Sequence, residues 1–217
     1  MAQKEINLCL VFPDGDGWTG ETNYLISLIS SLKIIKKKKF NFFILCSKKR
    51  GNYLSKYIQK KHIISSYFFE KNSIKEKFRK LIKFFFKKDF ILYYYLNKYK
   101  INVISHYEPV NRISSICWIP DFQHLYLKKF FSKTEIKRRD KLFLDYIKRA
   151  SSIIVSSNDA YSHLKKNYNI NEIKTYILNF VPKIDIDNIK SLRYLEAKYK
   201  IEKNFLYVPN QFWKHKN

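Results

Sequence analysis

Hydrophobic and polar residues follow two repeating patterns along this chain. Short apolar runs bounded by polar residues predict buried strands at Ile6–Phe12, Phe40–Cys46, 62–65, 101–105, Ser114–Ile119, Ser152–Val155 and 173–178. Between most of these runs, apolar residues recur every three or four positions, which predicts helices that include 24–32, 74–88, 133–150, 158–168 and 192–199. Because strands and helices alternate, we expect an α/β fold with a doubly wound parallel sheet.

Glycine is rare in this chain and is concentrated just after the first predicted strand. Gly15, Gly17 and Gly20 are three of the four glycines. A strand, a glycine-rich turn and a helix are typical of a loop that binds a phosphate or a sugar through backbone N–H groups; a merely tight turn is the alternative. A nicotinamide dinucleotide site is disfavoured, because it needs an acidic residue after the second strand, where this chain has Ser47, Lys48, Lys49 and Arg50.

Polar residues follow two of the later predicted strands. His106 comes directly after the run 101–105, and Asp121 and His124 follow Ser114–Ile119. In an open parallel sheet, ligands bind beyond the carboxyl ends of the strands, so we expect these three side chains on the same rim as the glycine-rich loop, as candidate catalytic residues. The alternatives are histidines that bond their own loops and an aspartate that caps a turn.

The predicted helix 74–88 is strongly amphipathic. One face is apolar, and a basic stripe at four-residue spacing includes Arg79. Two interpretations remain open: a helix that packs its apolar face on the core, and a helix that lies on a membrane surface. Two further phenylalanines lie outside the apolar face and favour membrane contact, for which the candidate residues are Phe84, Phe86, Lys83 and Lys87.

Composition limits the class of partner. The net charge of +25 suits nucleic acid, an anionic membrane or a phosphorylated substrate, although a nucleotide bias in the coding DNA would also enrich lysine. Nucleic acid is disfavoured, because the lysines are dispersed and no reading motif is present. Asp14 and Asp16 lack the later ligands of a calcium loop, and we expect no metal site.

The positions of the cysteines and the hydropathy of the chain indicate the cellular compartment of the protein. Cys9, Cys46 and Cys117 each lie in an apolar run, which predicts buried thiols in a reducing compartment. There is no signal-peptide pattern before the first strand, and no apolar run approaches the roughly 18 residues of a spanning helix. We expect a cytoplasmic protein, with the inner face of the membrane as a candidate peripheral location.

Three stretches of the chain resemble group 1 (family 4) glycosyltransferases of the GT-B fold: WIPDFQHLYLKKFFS at 118–132, VSSNDAYSHL at 155–164 and YVPNQFWKHKN at 207–217. The resemblance covers nearly the whole chain, in order. It implies an N-terminal Rossmann-like domain that holds the acceptor, facing a C-terminal domain that holds a nucleotide-sugar. It also implies transfer with retention at the anomeric carbon, with the nucleotide-sugar as donor substrate and with no metal or other cofactor.

The resemblance also implies roles for single residues around the donor. Gly15, Gly17 and Gly20 match the loop that approaches the donor phosphates and the acceptor. Lys216 matches the lysine that pairs with the donor diphosphate, and Gln211 stands where many members have arginine.

A second set of matched residues concerns the transferred sugar. Asp121 matches the acid of the family's His-Asp strand ending, but Pro120 stands where many members have histidine. The resemblance therefore leaves His124 or His106 to make the contact with the transferred sugar.

The expected domain organisation follows the GT-B pattern. Residues 1–180 match the acceptor-side domain, 181–202 a linker and helix, and 203–217 the first strand of a truncated donor domain. We expect the chain to be inactive alone. Three alternatives stay open: a truncated reading frame, half of a split enzyme whose second chain supplies the donor domain, and a fragment. The expected substrates are a nucleotide-sugar and a glycan or lipid-linked acceptor. The alternatives are a basic membrane- or nucleic-acid-binding module and a non-catalytic remnant.

Overall fold

The fold is built on one sheet of seven parallel strands. The computed structural model describes residues 6–12, 14, 19–35, 40–181, 189–201 and 205–206. The strands are β1 Ile6–Phe12, β2 Phe40–Cys46, β3 Ile63–Ser65, β4 Val103–Ser105, β5 Ser114–Ile119, β6 Ser152–Val155 and β7 Lys174–Ile177. Their order is β3-β2-β1-β4-β5-β6-β7, and every neighbouring pair is parallel. The predicted α/β class is confirmed, and the order is Rossmann-like.

Helices connect most of the strands and flank the sheet. They are α1 Thr19–Ile34, α2 Lys48–Leu54, α3 Ile74–Phe86, α4 Phe90–Lys98, α5 Gln123–Tyr126, α6 Lys133–Arg149, α7 Asn158–Asn167 and α8 Leu192–Tyr199. Short 3-10 turns occur at Lys60–His62, Tyr67–Phe69 and Lys128–Phe130. The connection from β4 to β5 is different, because it crosses through residues 106–113 without a helix.

The core has two sides because successive strand residues point to opposite faces of the sheet. On one face, Leu10 of β1 packs with Leu25 of α1 and Leu54 of α2. On the other face, Cys9 packs with Leu92 of α4. A third cluster joins β5 and β6 to α6 and α7. Both faces of the sheet are therefore covered near β1, as expected for a doubly wound sheet.

Four predicted strands have the observed bounds, namely Ile6–Phe12, Phe40–Cys46, Ser114–Ile119 and Ser152–Val155. The other three are shorter than predicted. Helices α2, α4 and α5 were not predicted, because α2 has no apolar repeat, α4 opens on a continuous apolar run and α5 is a single turn. In α2, Gly51 allows close packing, since a Cβ there would lie 2.7 Å from the Cβ of Ser65.

Helix α3 contradicts the interpretation that its apolar face packs on the core. Ile74, Phe78, Leu81 and Phe85 are all more than half exposed, whereas Arg79 is buried. The helix therefore turns a polar face towards the protein.

The predicted thiols are buried. Cys9, Cys46 and Cys117 are free and buried, and burial raises the pKa of Cys46 and of Cys117 to about 12. These thiols are therefore protonated and unreactive near neutral pH. None of the helices in the described ranges is long and apolar enough to cross a membrane.

Candidate functional site

The candidate site lies at the carboxyl edge of the sheet, where the strand order changes direction. β1 has β2 on one side and β4 on the other, so the chain segments that leave β1 and β4 diverge at this edge. In open parallel sheets such a divergence opens the crevice in which ligands bind. The polar endings of β4 and β5 lie at the same edge.

Five aromatic side chains, which we call the ring cluster, meet at this edge of the sheet: Phe12, Tyr24, His106, Trp118 and Phe180. Tyr24 of α1 stacks on Trp118 of β5, with ring centroids 4.6 Å apart. His106 lies 5.4 Å from Tyr24 and stacks on Phe12 at 5.6 Å. Phe180 turns its ring edge-on to Tyr24 at 5.1 Å and to Trp118 at 6.1 Å. The ring cluster therefore joins the ends of β1, β4 and β5.

His106 is held through both of its ring nitrogens. Nε2 lies 2.6 Å from the Tyr24 hydroxyl, and Nδ1 lies 2.8 Å from Ser105 Oγ. The backbone of His106 is left-handed, with a φ of 63°, which is uncommon for residues other than glycine, although histidine adopts it more readily than most. Its N–H donates to the Ile116 carbonyl at 3.0 Å. The position of the imidazole is therefore determined by three separate elements.

The electrostatics of the ring cluster favour neutral groups. Burial lowers the pKa of His106 to about 4, so the imidazole is neutral at pH 7. Burial raises the pKa of Tyr24, so its phenol stays protonated. A neutral imidazole has one donor and one acceptor nitrogen, which matches the two hydroxyl partners. Because this pKa lies far below neutral pH, His106 is a weak general base and is suited to hydrogen bonding.

Asp121 lies beside a separate pocket at the ends of β5 and β6. The pocket has a volume of about 220 Å³. Asp121 Oδ1 accepts a hydrogen bond from the Gln123 N–H at 3.1 Å and lies 3.6 Å from Arg139. The first contact is typical of an aspartate that closes a turn. The other polar side chains around the pocket are those of Gln123, Tyr126, Ser157, Asp159 and His163.

His124 is fully buried against α6. Its Nε2 lies 3.2 Å from Asp140 Oδ1, which also accepts a hydrogen bond from the Tyr168 hydroxyl at 2.7 Å. Its Nδ1 is buried and has no hydrogen-bond partner among the described residues. Burial lowers the pKa of His124, and the hydrogen bond to Asp140 opposes this shift. Of the two candidate histidines, the structure brings His106 into the ring cluster and places His124 beside Phe143.

The segment after His106 connects the candidate site to α3. The Tyr107 hydroxyl accepts a hydrogen bond from Arg79 at 3.0 Å, and Glu108 accepts one from Lys83 at 2.7 Å. Both donors belong to α3. The orientation of α3 and the loop that follows His106 are therefore coupled.

The glycine-rich stretch is described only in part. Gly20 lies in the first turn of α1. Gly15, Gly17, Gln211 and Lys216 lie outside the described residues. The approach of this loop and of Lys216 to a donor phosphate stays a prediction.

Several residues of the ring cluster were not predicted as site residues. Tyr24 follows the apolar spacing of α1, and Trp118 fits a buried strand, so the hydrophobic pattern does not distinguish them from core residues. Phe180 comes after the last strand of the sheet. The signal that could have found them is position, because the first turns of the helix after β1 and the ends of β4 and β5 all face the carboxyl edge.

Within the described part of the chain, no group of three or more His, Cys, Asp or Glu side chains is placed to hold a metal ion. Comparisons with protein-family models, curated proteins and solved structures found no match for this chain. The basis for a function is therefore the geometry of the site together with the motif resemblance of the sequence.

Proposed function

We propose that this chain is the acceptor-side part of a retaining glycosyltransferase of the GT-B type, which transfers a sugar from a nucleotide-sugar to a glycan or lipid-linked acceptor. The observation that carries the proposal is the ring cluster at the carboxyl edge of the sheet, where the segments that leave β1 and β4 diverge. Small-molecule sites combine aromatic walls with a few fixed polar groups. A sugar matches such a site, because its ring has apolar C–H faces and hydroxyl groups at its edge.

The ring cluster suggests a division of roles. Trp118 is half-buried and Phe180 is half-exposed, so both leave aromatic surface for a sugar ring. His106 acts as a positioning residue, because its two nitrogens hold the hydroxyls of Tyr24 and Ser105. Its low pKa argues against a role as general base.

Asp121 supplies the acidic group that the resemblance implies. A carboxylate can accept hydrogen bonds from sugar hydroxyls. The Gln123 N–H and Arg139 hold this carboxylate at the mouth of its pocket. The ring cluster and the Asp121 pocket are both at the carboxyl edge of β5, so a ligand of oligosaccharide size could contact both.

Donor binding would be the task of a second domain, as the resemblance implies. That domain would be supplied by the same polypeptide as its own cell makes it, or by a second chain. The test must therefore start from the natural protein together with whatever is bound to it.

The experiment is a transfer assay on the protein recovered from the cells that make it. The preparation is incubated with UDP-, GDP- and ADP-linked sugars, each labelled in the sugar, and with membranes and soluble glycans from the same cells. We expect label to pass from one donor into a glycan or lipid. We expect Phe180→Ala and His106→Asn to lower this transfer by about tenfold or more, because both disturb the positioning of the ligand.

The assay has a matched control variant and defined outcomes that would overturn the proposal. Leu144→Ala on α6 is the matched control, because it removes an exposed apolar side chain outside the ring cluster, and we expect transfer within about twofold of wild type. Absence of transfer from every donor, or transfer that is insensitive to Phe180→Ala and His106→Asn, would overturn the proposal.

A further inference from the structure

Helix α3 presents a continuous apolar surface to solvent. On α3, Ile74, Phe78, Leu81 and Phe85 follow one another at helical spacing on one face. The surface continues at the end of the helix and onto α4, where Phe86 and Phe90 contact each other with ring centroids 5.6 Å apart. We call this surface the apolar ridge, and its side chains are each about half exposed or more: Ile74, Phe78, Leu81, Phe84, Phe85, Phe86, Phe90 and Tyr94.

A buried ion pair holds α3 in this orientation. Arg79 donates hydrogen bonds to both carboxylate oxygens of Asp89, with distances from 2.6 to 3.1 Å. Its guanidinium also lies 4.2 Å from the centroid of the Phe69 ring. Both charged side chains are buried, so the face that carries Arg79 must stay turned inward. The apolar ridge therefore points outward because of a specific contact.

The charges around the apolar ridge are almost all positive. Residues 74–88 contain six lysines and one arginine but only one acidic residue, Glu76. Glu76 is paired with Lys80, and Lys83 with Glu108. The exposed lysines that border the apolar ridge are Lys75, Lys77, Lys87 and Lys88.

We propose that the apolar ridge docks on an anionic lipid bilayer, with α3 lying in the plane of the interface. A helix with an apolar face bordered by lysines places its aromatic side chains among the acyl chains and its lysines at the anionic headgroups. The combination of exposed rings and flanking positive charge is the observation that selects this partner.

The same charges argue against a second copy of the chain as the occupant. Pairing two apolar ridges would bring Lys77 and Lys87 of one chain close to the lysines of the other, in a protein whose net charge is +25. Like charges that are brought together at an interface oppose association, whereas an anionic bilayer neutralises them. The proposal does not depend on sugar transfer and has its own test.

The experiment is vesicle co-sedimentation at low salt with the full chain. The probes are vesicles of phosphatidylcholine with about 40% phosphatidylglycerol, and vesicles of phosphatidylcholine alone. We expect binding to the anionic vesicles, and binding to the neutral vesicles that is weaker by about tenfold or more. We expect Phe78→Ser/Phe85→Ser to lower the partition coefficient on anionic vesicles by about tenfold or more, because both rings leave the interface.

Matched variants distinguish binding through the apolar ridge from nonspecific hydrophobic binding and from a general effect of net charge. Leu144→Ser/Tyr176→Ser removes two exposed apolar side chains elsewhere, and we expect it to bind as wild type does. Lys77→Glu/Lys87→Glu and Lys141→Glu/Lys166→Glu change the net charge equally, on exposed lysines. We expect the first pair to weaken binding by about tenfold more than the second.

Each other outcome overturns the proposal. These outcomes are a failure of wild type to bind anionic vesicles, equal binding by Phe78→Ser/Phe85→Ser, and equal loss from the two lysine pairs. Sedimentation that shows a dimer lost in Phe78→Ser/Phe85→Ser, without vesicle binding, would assign the apolar ridge to a second copy. Circular dichroism checks that the variants are folded, which is expected because the substituted side chains are exposed.

Discussion

Helices α3 and α6 begin in the same way but turn opposite kinds of face towards the protein. Ser73 Oγ accepts a hydrogen bond from the Glu76 N–H at the start of α3, and Ser132 Oγ accepts one from the Glu135 N–H at the start of α6. Both helices are rich in basic residues and carry apolar residues on one face. Local sequence therefore specifies two similar amphipathic helices.

The packing of the two helices differs. In α6, Phe143 and Tyr146 are buried, and Phe143 lies 5.5 Å from Phe122, centroid to centroid. In α3 the buried residue is Arg79, and the apolar side chains other than Ile82 are more than half exposed. An amphipathic pattern therefore specifies a helix and its two faces, but not which face turns inward.

The deciding contact on α3 is electrostatic. Asp89 is buried at the start of α4, where it also accepts a hydrogen bond from the Leu92 N–H. A buried carboxylate needs a partner of opposite charge, and Arg79 supplies it. Among the described residues, no carboxylate other than Asp89 is buried, and those on α6, Asp140 and Asp145, are only partly buried.

The largest expected difference between α3 and α6 follows from truncating one aromatic ring on each helix. We expect Phe143→Ala to lower the free energy of unfolding by about 3–5 kcal/mol, because it leaves a cavity in the core. We expect Phe85→Ala to change it by less than about 0.5 kcal/mol, because the ring is already exposed. Urea unfolding without lipid measures both. A loss in Phe85→Ala as large as that in Phe143→Ala would show that α3 packs its apolar face inward.

The second test removes the ion pair on α3. We expect Arg79→Met to lower the free energy of unfolding by about 3–5 kcal/mol, because the Asp89 carboxylate stays buried without its partner. Lys80→Met on the same helix is the control, since Lys80 is exposed and its pairing with Glu76 contributes less than about 1 kcal/mol. Similar urea midpoints for the two variants would contradict the role of the ion pair.

The third test concerns the burial of His106, which directly precedes the loop that contacts α3. The unfolded chain protonates this histidine near pH 6.5, and the folded chain only near pH 4. Stabilisation by the neutral buried ring is therefore complete above pH 6.5 and is lost as the pH falls towards 4. Between about pH 7 and pH 4, we expect the free energy of unfolding to fall by about 3 kcal/mol more in wild type than in His106→Asn. Parallel pH profiles for the two proteins would contradict this burial.

The smallest expected effect concerns the serine cap that α3 and α6 have in common. Ser73→Ala and Ser132→Ala should each lower the free energy of unfolding by about 1 kcal/mol, because each removes the acceptor for one N–H at a helix start. Ser162→Ala, on an exposed position inside α7, should change it by less than about 0.5 kcal/mol. Unequal losses in the two cap variants, measured by urea unfolding, would show that the starts of α3 and α6 are not equivalent.

Much of the fold could be predicted from the hydrophobic pattern. Apolar runs of strand length located β1, β2, β5 and β6 with their observed bounds, because such runs must be buried on both faces of a parallel sheet. The hydrophobic pattern did not predict α4. Its first residues, Phe90–Leu92, form a continuous apolar run, because Leu92 contacts the core while Phe90 belongs to the exposed apolar ridge.

The candidate site was predictable only in its location. The polar strand endings placed His106, Asp121 and His124 near one edge, because the strands are parallel. Their surroundings were not predictable. His106 meets Tyr24, which is 82 positions away in the chain, whereas His124 meets Asp140 on α6.

The hydrophobic pattern of the sequence was enough to locate β1, β2, β5 and β6, to predict helices α1, α3, α6, α7 and α8, to indicate a parallel sheet, and to give helix 74–88 one apolar and one basic side. These properties depend on neighbouring residues and on hydrophobic burial, which act within short segments. The outward orientation of the apolar side of α3 and the place of His106 in the ring cluster are set by tertiary contacts. Both depend on partners outside the segment itself: Asp89, 10 positions away, and Tyr107, 28 positions away, for Arg79, and Tyr24, 82 positions away, for His106. Buried charges and hydrogen bonds must be satisfied by such partners, and the hydrophobic pattern does not encode them.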